Sequence, residues 1–124
     1  MYPTILIVDD DPSQLTLCEI ILTRSAFSVM KATDSKRALS LLDSITPELI
    51  ILDYMMPDVS GFELCKQIRN RPETANTPVI VLSAVTDSFG NVGAESIGAT
   101  AFVSKLTQQK QLVPAINKIL QLAD

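Results

Sequence analysis

The sequence predicts an open parallel α/β sheet of five strands, covered by helices on both faces. Three observations carry that expectation. Ile5–Val8, Leu49–Leu52 and Val79–Leu82 are unbroken apolar runs, the mark of strands buried on both sides. Segments with apolar residues three and four positions apart lie between the strand candidates. The alternation itself requires right-handed crossovers, which place helices on either side of one parallel sheet.

Taken in order, Ile5 to Val8 is the first strand. Asp11-Pro12 follows, with Gln14 three residues after Asp11, and this reads as an N-cap, a first-turn proline and a capping-box partner. Leu15, Cys18 and Leu22 then share one helical face, flanked by Leu17 and Ile21. Phe27 to Ala32 is a second, more mixed strand. Asp34 caps a short helix carrying Ala38, Leu41, Leu42 and Ile45, and Pro47-Glu48 precedes the third strand, Leu49 to Leu52. Pro57 and Gly61 mark the stretch from Met55 to Gly61 as a loop. The third helix presents Phe62, Cys65 and Ile68, with Leu64 beside them, and the polar stretch Arg69 to Pro78 ends it. Val79 to Leu82 is the fourth strand. Asp87 to Ile97 is a weak helix, since Gly90 and Gly93 each cost roughly 1 kcal/mol against alanine. Gly98 is placed to stop it, and Ala101 to Val103 is a short fifth strand. Gln109 to Leu122 is a final helix with Leu112, Ile116, Ile119 and Leu120 inward, in which Pro114 either belongs to a late first turn or bends the axis.

Composition narrows the function. A length of 124 residues suits one domain, 1–124, and an apolar share of 47% suits a globular chain. A net charge of −4 argues against direct nucleic-acid binding, which needs a basic surface. Nothing is long and apolar enough for a membrane span, and the N-terminus lacks a signal-peptide pattern, so the expected compartment is the cytoplasm. Cys18 and Cys65, far apart in helical patterns, read as small core residues. The chain has no histidine. Ser-His-Asp and Cys-His nucleophiles and imidazole-dependent zinc sites are therefore excluded, and any phosphohistidine donor must belong to another protein or domain.

The apolar runs end in carboxylates. Asp9, Asp10 and Asp11 follow Val8, and Asp53 follows Leu52. Ligands of open α/β sheets bind beyond the carboxyl ends of the strands, where strand order reverses, and the order 2-1-3-4-5 sets strands one and three side by side. Asp9, Asp10 and Asp53 would then meet at one sheet edge. Carboxylates so placed repel one another unless a cation sits among them, and a divalent cation held by carboxylates is a device for handling phosphate. Ser83 ends the fourth strand and Lys105 follows the fifth.

Four motifs now stand in order: Ile-Leu-Ile-Val-Asp-Asp-Asp-Pro at 5–12, Leu-Asp-Tyr-Met-Met-Pro-Asp-Val-Ser-Gly at 52–61, Val-Leu-Ser-Ala at 81–84, and Gly-Ala-Thr-Ala-Phe-Val-Ser-Lys at 98–105. The chain resembles the receiver domain of two-component response regulators over essentially its whole length. The resemblance implies a flavodoxin-like three-layer sandwich with five helices. It also implies Asp53 as phosphoacceptor and Mg²⁺ as cofactor. Asp10 would be a direct ligand of that ion, Asp9 a looser one, and Asp53 and the Met55 backbone carbonyl further ligands. Lys105 and the Ser83 hydroxyl would meet phosphoryl oxygens. Phe102 would turn inward when Ser83 moves to the phosphoryl group, making the pair a switch. The implied partners are a histidine kinase or histidine phosphotransfer protein upstream and an unnamed protein target downstream. A homodimer is among the assemblies this admits.

Two features depart from the family pattern. Leu106 follows Lys105, where the family usually has proline, often after a cis bond, and two glycines interrupt the fourth helix. Two other functions compete. One is a pseudo-receiver, an interaction module indifferent to phosphorylation. The other is a Mg²⁺-dependent phosphohydrolase, which would want a second aspartate where Met55 stands.

Overall fold

The structure, a computed structural model, describes residues 2–56, 59–83 and 98–122. In chain order the elements are β1 (Thr4–Val8), α1 (Pro12–Arg24), β2 (Ser28–Ala32), α2 (Ser35–Leu42), β3 (Leu49–Asp53), α3 (Gly61–Arg69), a 3-10 turn (Pro72–Thr74), β4 (Val79–Ser83), β5 (Ala101–Ser104) and α4 (Gln108–Leu120). The five strands form one parallel sheet in the order β2-β1-β3-β4-β5, as the sequence predicts. Four helices fall among the described residues. The helix expected over Asp87–Ile97 lies outside them. Gly98, expected to end it, has φ 80°, the left-handed region.

Strand alternation sorts the core into two layers. Leu6, Val8, Ile50, Leu52, Val79 and Val81 face one side with Ala38 and Leu42 of α2 and Leu64, Cys65 and Ile68 of α3. Ile5, Ile7, Leu49, Ile51, Ile80 and Leu82 face the other with Leu15, Cys18 and Leu22 of α1 and Leu112 and Ile116 of α4. Every residue of β3 and β4 is buried, which is why those runs carry no polar alternation. Burying each Leu or Ile there contributes about 1.5–3 kcal/mol. β2 lies at the sheet edge and is half-covered, matching its mixed composition.

Local details depart from expectation. β2 begins at Ser28, leaving Phe27 buried before it. In α3, Leu64 joins Cys65 and Ile68 in the core, while Phe62 is half-buried with its ring 4.9 Å from that of Tyr54. The last helix starts at Gln108, so Pro114 lies in its interior rather than its first turn. Lys110, whose carbonyl the missing Pro114 N–H would have met, and Pro114 itself are both exposed, so water can serve that carbonyl. Both cysteines are free and buried.

Candidate functional site

The register of β1 on β3 pairs Val8 with Leu52, so the next residues, Asp9 and Asp53, come abreast at the carboxyl edge of the sheet. Asp9 is 2% exposed and Asp53 4%, while Asp10 is exposed at the rim. Each of the three offers a carboxylate oxygen within 4.8 Å of the others. The turn into α1 fixes this arrangement. The Asp9 N–H donates to the Ala32 carbonyl at 3.1 Å, and the Asp11 N–H donates to Asp9 Oδ1 at 2.9 Å. Asp11 itself caps α1, its Oδ1 accepting from the Ser13 N–H at 2.9 Å.

The capping box expected of Gln14 is absent. The Asp11 N–H such a box would use is taken by Asp9, and the Gln14 side chain accepts instead from Gln108.

Lys105 reaches in from the end of β5. Its Nζ lies 2.9 Å from Asp53 Oδ1 and 3.4 Å from Asp9 Oδ2. Its own N–H donates to the Ser83 carbonyl at 2.9 Å, where β4 and β5 are in register at Ser83 and Ser104. Ser83 is buried at the end of β4, one position beyond Leu82, which pairs with Asp53. Met55 is 72% exposed, and its N–H lies 3.4 Å from Asp53 Oδ1. Phe102 is half-buried and packs against the core layer beneath α2 and α3.

The electrostatics follow from this crowding. Burial pushes the Asp9 carboxyl up to about 6; the Asp11 N–H opposes this, Asp53's charge adds to it, and Lys105 counters it. Burial works against the Lys105 ammonium, but its hydrogen bond to Asp53 and the charges of Asp9 and Asp53 outweigh that and raise its pKa. Three carboxylates against one ammonium leave the cluster with surplus negative charge. The donors are all hard oxygens, with no imidazole or thiolate among them, and this set suits Mg²⁺.

Three contributors to the site do not figure among the residues expected there from the sequence. Gly61 brings α3 against β3: a Cβ there would lie 2.9 Å from the Asp53 carbonyl oxygen and 3.0 Å from Tyr54 Cα. Ser60 caps α3, its hydroxyl accepting from the Glu63 N–H at 3.2 Å. Gln108 is 2% exposed and links α1 to the Lys105 carbonyl. The Ser60-x-x-Glu63 spacing is a visible capping signal, whereas nothing local marks Gln108 as buried.

Known proteins share this architecture. The family model described as "Response regulator receiver domain" matches residues 5–117. The chain is 32% identical over 124 residues to the alkaline phosphatase synthesis transcriptional regulatory protein PhoP of Bacillus subtilis (strain 168), covering all of this chain and 51% of that protein. The chain thus spans about half the length of the curated relatives it matches. Among solved structures, a putative response regulator from Chloroflexus aurantiacus superposes with a TM-score of 0.91 at 29% identity, over 98% of this chain and 99% of that one. The response regulator protein TrrA of Thermotoga maritima, solved in complex with Mg(2+)-BeF, gives 0.83 at 27% identity, over 96% and 99%. A matching profile over nearly the whole chain, on a sheet of the predicted order with acids at its carboxyl edge, shows that this chain belongs to the receiver domain family of two-component response regulators, whose role is phosphoacceptor signalling.

Proposed function

We propose that Asp53 is the phosphoacceptor and that the domain catalyses its own phosphorylation from a partner's phosphohistidine. The observation that carries this is the placement of Asp53: buried, its carboxylate within 4.8 Å of those of Asp9 and Asp10, with the Lys105 ammonium 2.9 Å away. An Asp53 oxygen attacks phosphorus in line with the P–N bond, and that bond breaks as the new P–O bond forms. Phosphoryl transfer depends on positioning and charge neutralisation more than on nucleophile strength. Lys105 supplies a fixed positive charge to one phosphoryl oxygen, and the Ser83 hydroxyl donates to another. Asp9, Asp10, Asp53 and the Met55 backbone carbonyl would hold Mg²⁺, which offsets the negative charge that otherwise repels an incoming phosphate.

The output is altered protein binding. Ser83, drawn to the phosphoryl group, leaves room for Phe102 to turn inward, and the packing change reaches the surface near β5 and α4. The upstream partner is a histidine kinase or a histidine phosphotransfer protein, and the setting is the cytoplasm. Among the described residues, no helix is long and apolar enough to cross a membrane.

Labelling with acetyl phosphate tests the assignment. Wild type should incorporate phosphate only with Mg²⁺, and Asp53→Asn should incorporate none. Equal labelling of that variant removes Asp53 from its role, and a wild-type chain that neither takes up phosphate nor binds Mg²⁺ would be the pseudo-receiver instead.

A further inference from the structure

Lys105 can meet Asp53 only if the turn that carries it is held still. Burial does not anchor the two residues after it: Leu106 is 85% exposed and Thr107 is exposed. The turn is instead held by polar bonds. The Leu106 N–H donates to Ser104 Oγ at 3.1 Å, and the Thr107 N–H donates to the Ser104 carbonyl at 3.2 Å. The third restraint comes from a buried side chain. Gln108 Nε2 donates to the Lys105 carbonyl at 3.2 Å and to Gln14 Oε1 at 3.1 Å, while its Oε1 accepts from the Cys18 thiol at 3.2 Å.

We infer that Gln108 is the positioning residue for Lys105, fixing the lysine's backbone to α1 so that its ammonium points at the acceptor carboxylate. This rests on the proposed role of Lys105 in phosphoryl transfer. The geometry has two clamps on one residue. The Lys105 N–H is tied to the Ser83 carbonyl at 2.9 Å, and the Lys105 carbonyl is tied to the Gln108 amide. Gln108 is 2% exposed and is bonded in both senses, so its amide cannot swing away without stranding its own buried amide and giving up the buried Cys18 thiol and the half-buried Gln14. Gln14 and Cys18 both lie on α1, which begins two residues after Asp10. The same helix that follows the acid pair thus also holds the turn that carries the lysine. A small tilt of this turn moves the ammonium through the length of the lysine side chain, and misplacement of about 1 Å at a reacting centre can cost on the order of a hundredfold in rate.

A strut that only joined α1 to α4 would contribute stability and leave the lysine alone. The two roles separate in a set of variants of the intact chain: Gln108→Leu, Gln14→Leu, Lys105→Met and Gln108→Leu with Lys105→Met. The rate of labelling by acetyl phosphate with Mg²⁺ should fall about ten- to a hundredfold in Gln108→Leu. It should fall less in Gln14→Leu, which removes one of the two links to α1 but keeps the Cys18 link and the bond to the Lys105 carbonyl. In the Lys105→Met background, Gln108→Leu should cost almost nothing further, since there is no ammonium left to aim. Equal losses in both backgrounds, or full activity in Gln108→Leu, overturn the proposal. Should Gln108→Leu fail to fold, Gln108→Asn withdraws the amide by one methylene and is read the same way.

A second measurement does not depend on phosphorylation. The reaction of each lysine with a small acetylating reagent, mapped by mass spectrometry, should be slow at Lys105 in wild type. It should speed several-fold in Gln108→Leu, with Lys31 and Lys66 unchanged. Unaltered protection of Lys105 sinks the positioning role even if the wild-type chain takes up no phosphate. Absence of labelling in the wild type with loss of protection in the variant would count against the phosphoacceptor reading alone.

Discussion

At Gly61 there is no room for a methyl group. The atoms it would strike, the Asp53 carbonyl oxygen and Tyr54 Cα, are both backbone, so neither can rotate aside. The Gly61 N–H donates to the Tyr54 carbonyl at 2.8 Å, which draws the start of α3 down onto the end of β3. Gly61→Ala should therefore lower stability by about 1–3 kcal/mol in urea unfolding and slow labelling by acetyl phosphate. A variant as stable and as active as wild type would show that the contact is relieved without cost. In the sequence Gly61 reads only as loop punctuation, because its steric partner is set by a backbone path that no local pattern describes. The acids are different. Asp9, Asp10 and Asp53 were legible because each follows an apolar run, and strand ends are where side chains of separate segments converge.

The helices differ in how openly their ends are written. Asp11 and Asp34 announce α1 and α2, and both cap as expected, Asp34 Oδ1 accepting from the Arg37 N–H at 2.7 Å. The end of α1 carries no such mark. It closes with the Phe27 N–H on the Leu22 carbonyl at 3.1 Å, around Ala26 at φ 67°. That position favours glycine, and alanine there bears a Cβ crowded against the backbone. Ala26→Gly should thus stabilise the fold by about 0.5–1 kcal/mol, read as a higher urea midpoint with an unchanged slope. A lower midpoint would mean that the flexibility glycine adds to the unfolded chain outweighs the relieved crowding. Pro114 was equally opaque: a proline inside a helix is tolerated here because its face is wet, and exposure is a property of packing rather than of sequence.

On the scale of the whole molecule, the strand order could be predicted, but from the general habit of such sheets rather than from periodicity, which cannot say which strands are neighbours. The folded chain adds buried ionisable groups whose raised pKa values should weaken it at alkaline pH. Burial pushes the Cys18 thiol up to about 11, with the charge of Asp9 adding to the effect. The unfolded chain releases that proton near 9, so stability should decline as pH climbs from 9 towards 11. Cys65 is raised by burial in the same sense. The Lys105 ammonium acts in the same direction: its stabilisation is full below its ordinary value and is lost as pH rises through its raised one. Urea unfolding should show a loss of about 1–2 kcal/mol between pH 9 and 10. Cys18→Ala should flatten that decline, and an unchanged slope would remove Cys18 as a contributor.

Lys105 also has a mechanical consequence. It follows the border strand β5, yet its ammonium rests on Asp53 of β3 and on Asp9, just past β1, with β4 crossed on the way. That is a reach of about 10 Å over the sheet to the nearer acid. Besides its backbone ladder to β4, the rim is therefore moored to the middle by a cationic line, and any new anion at the mooring point competes for it. A chemical event in the interior can in this way tug at the periphery directly, without waiting for a helix to relay it.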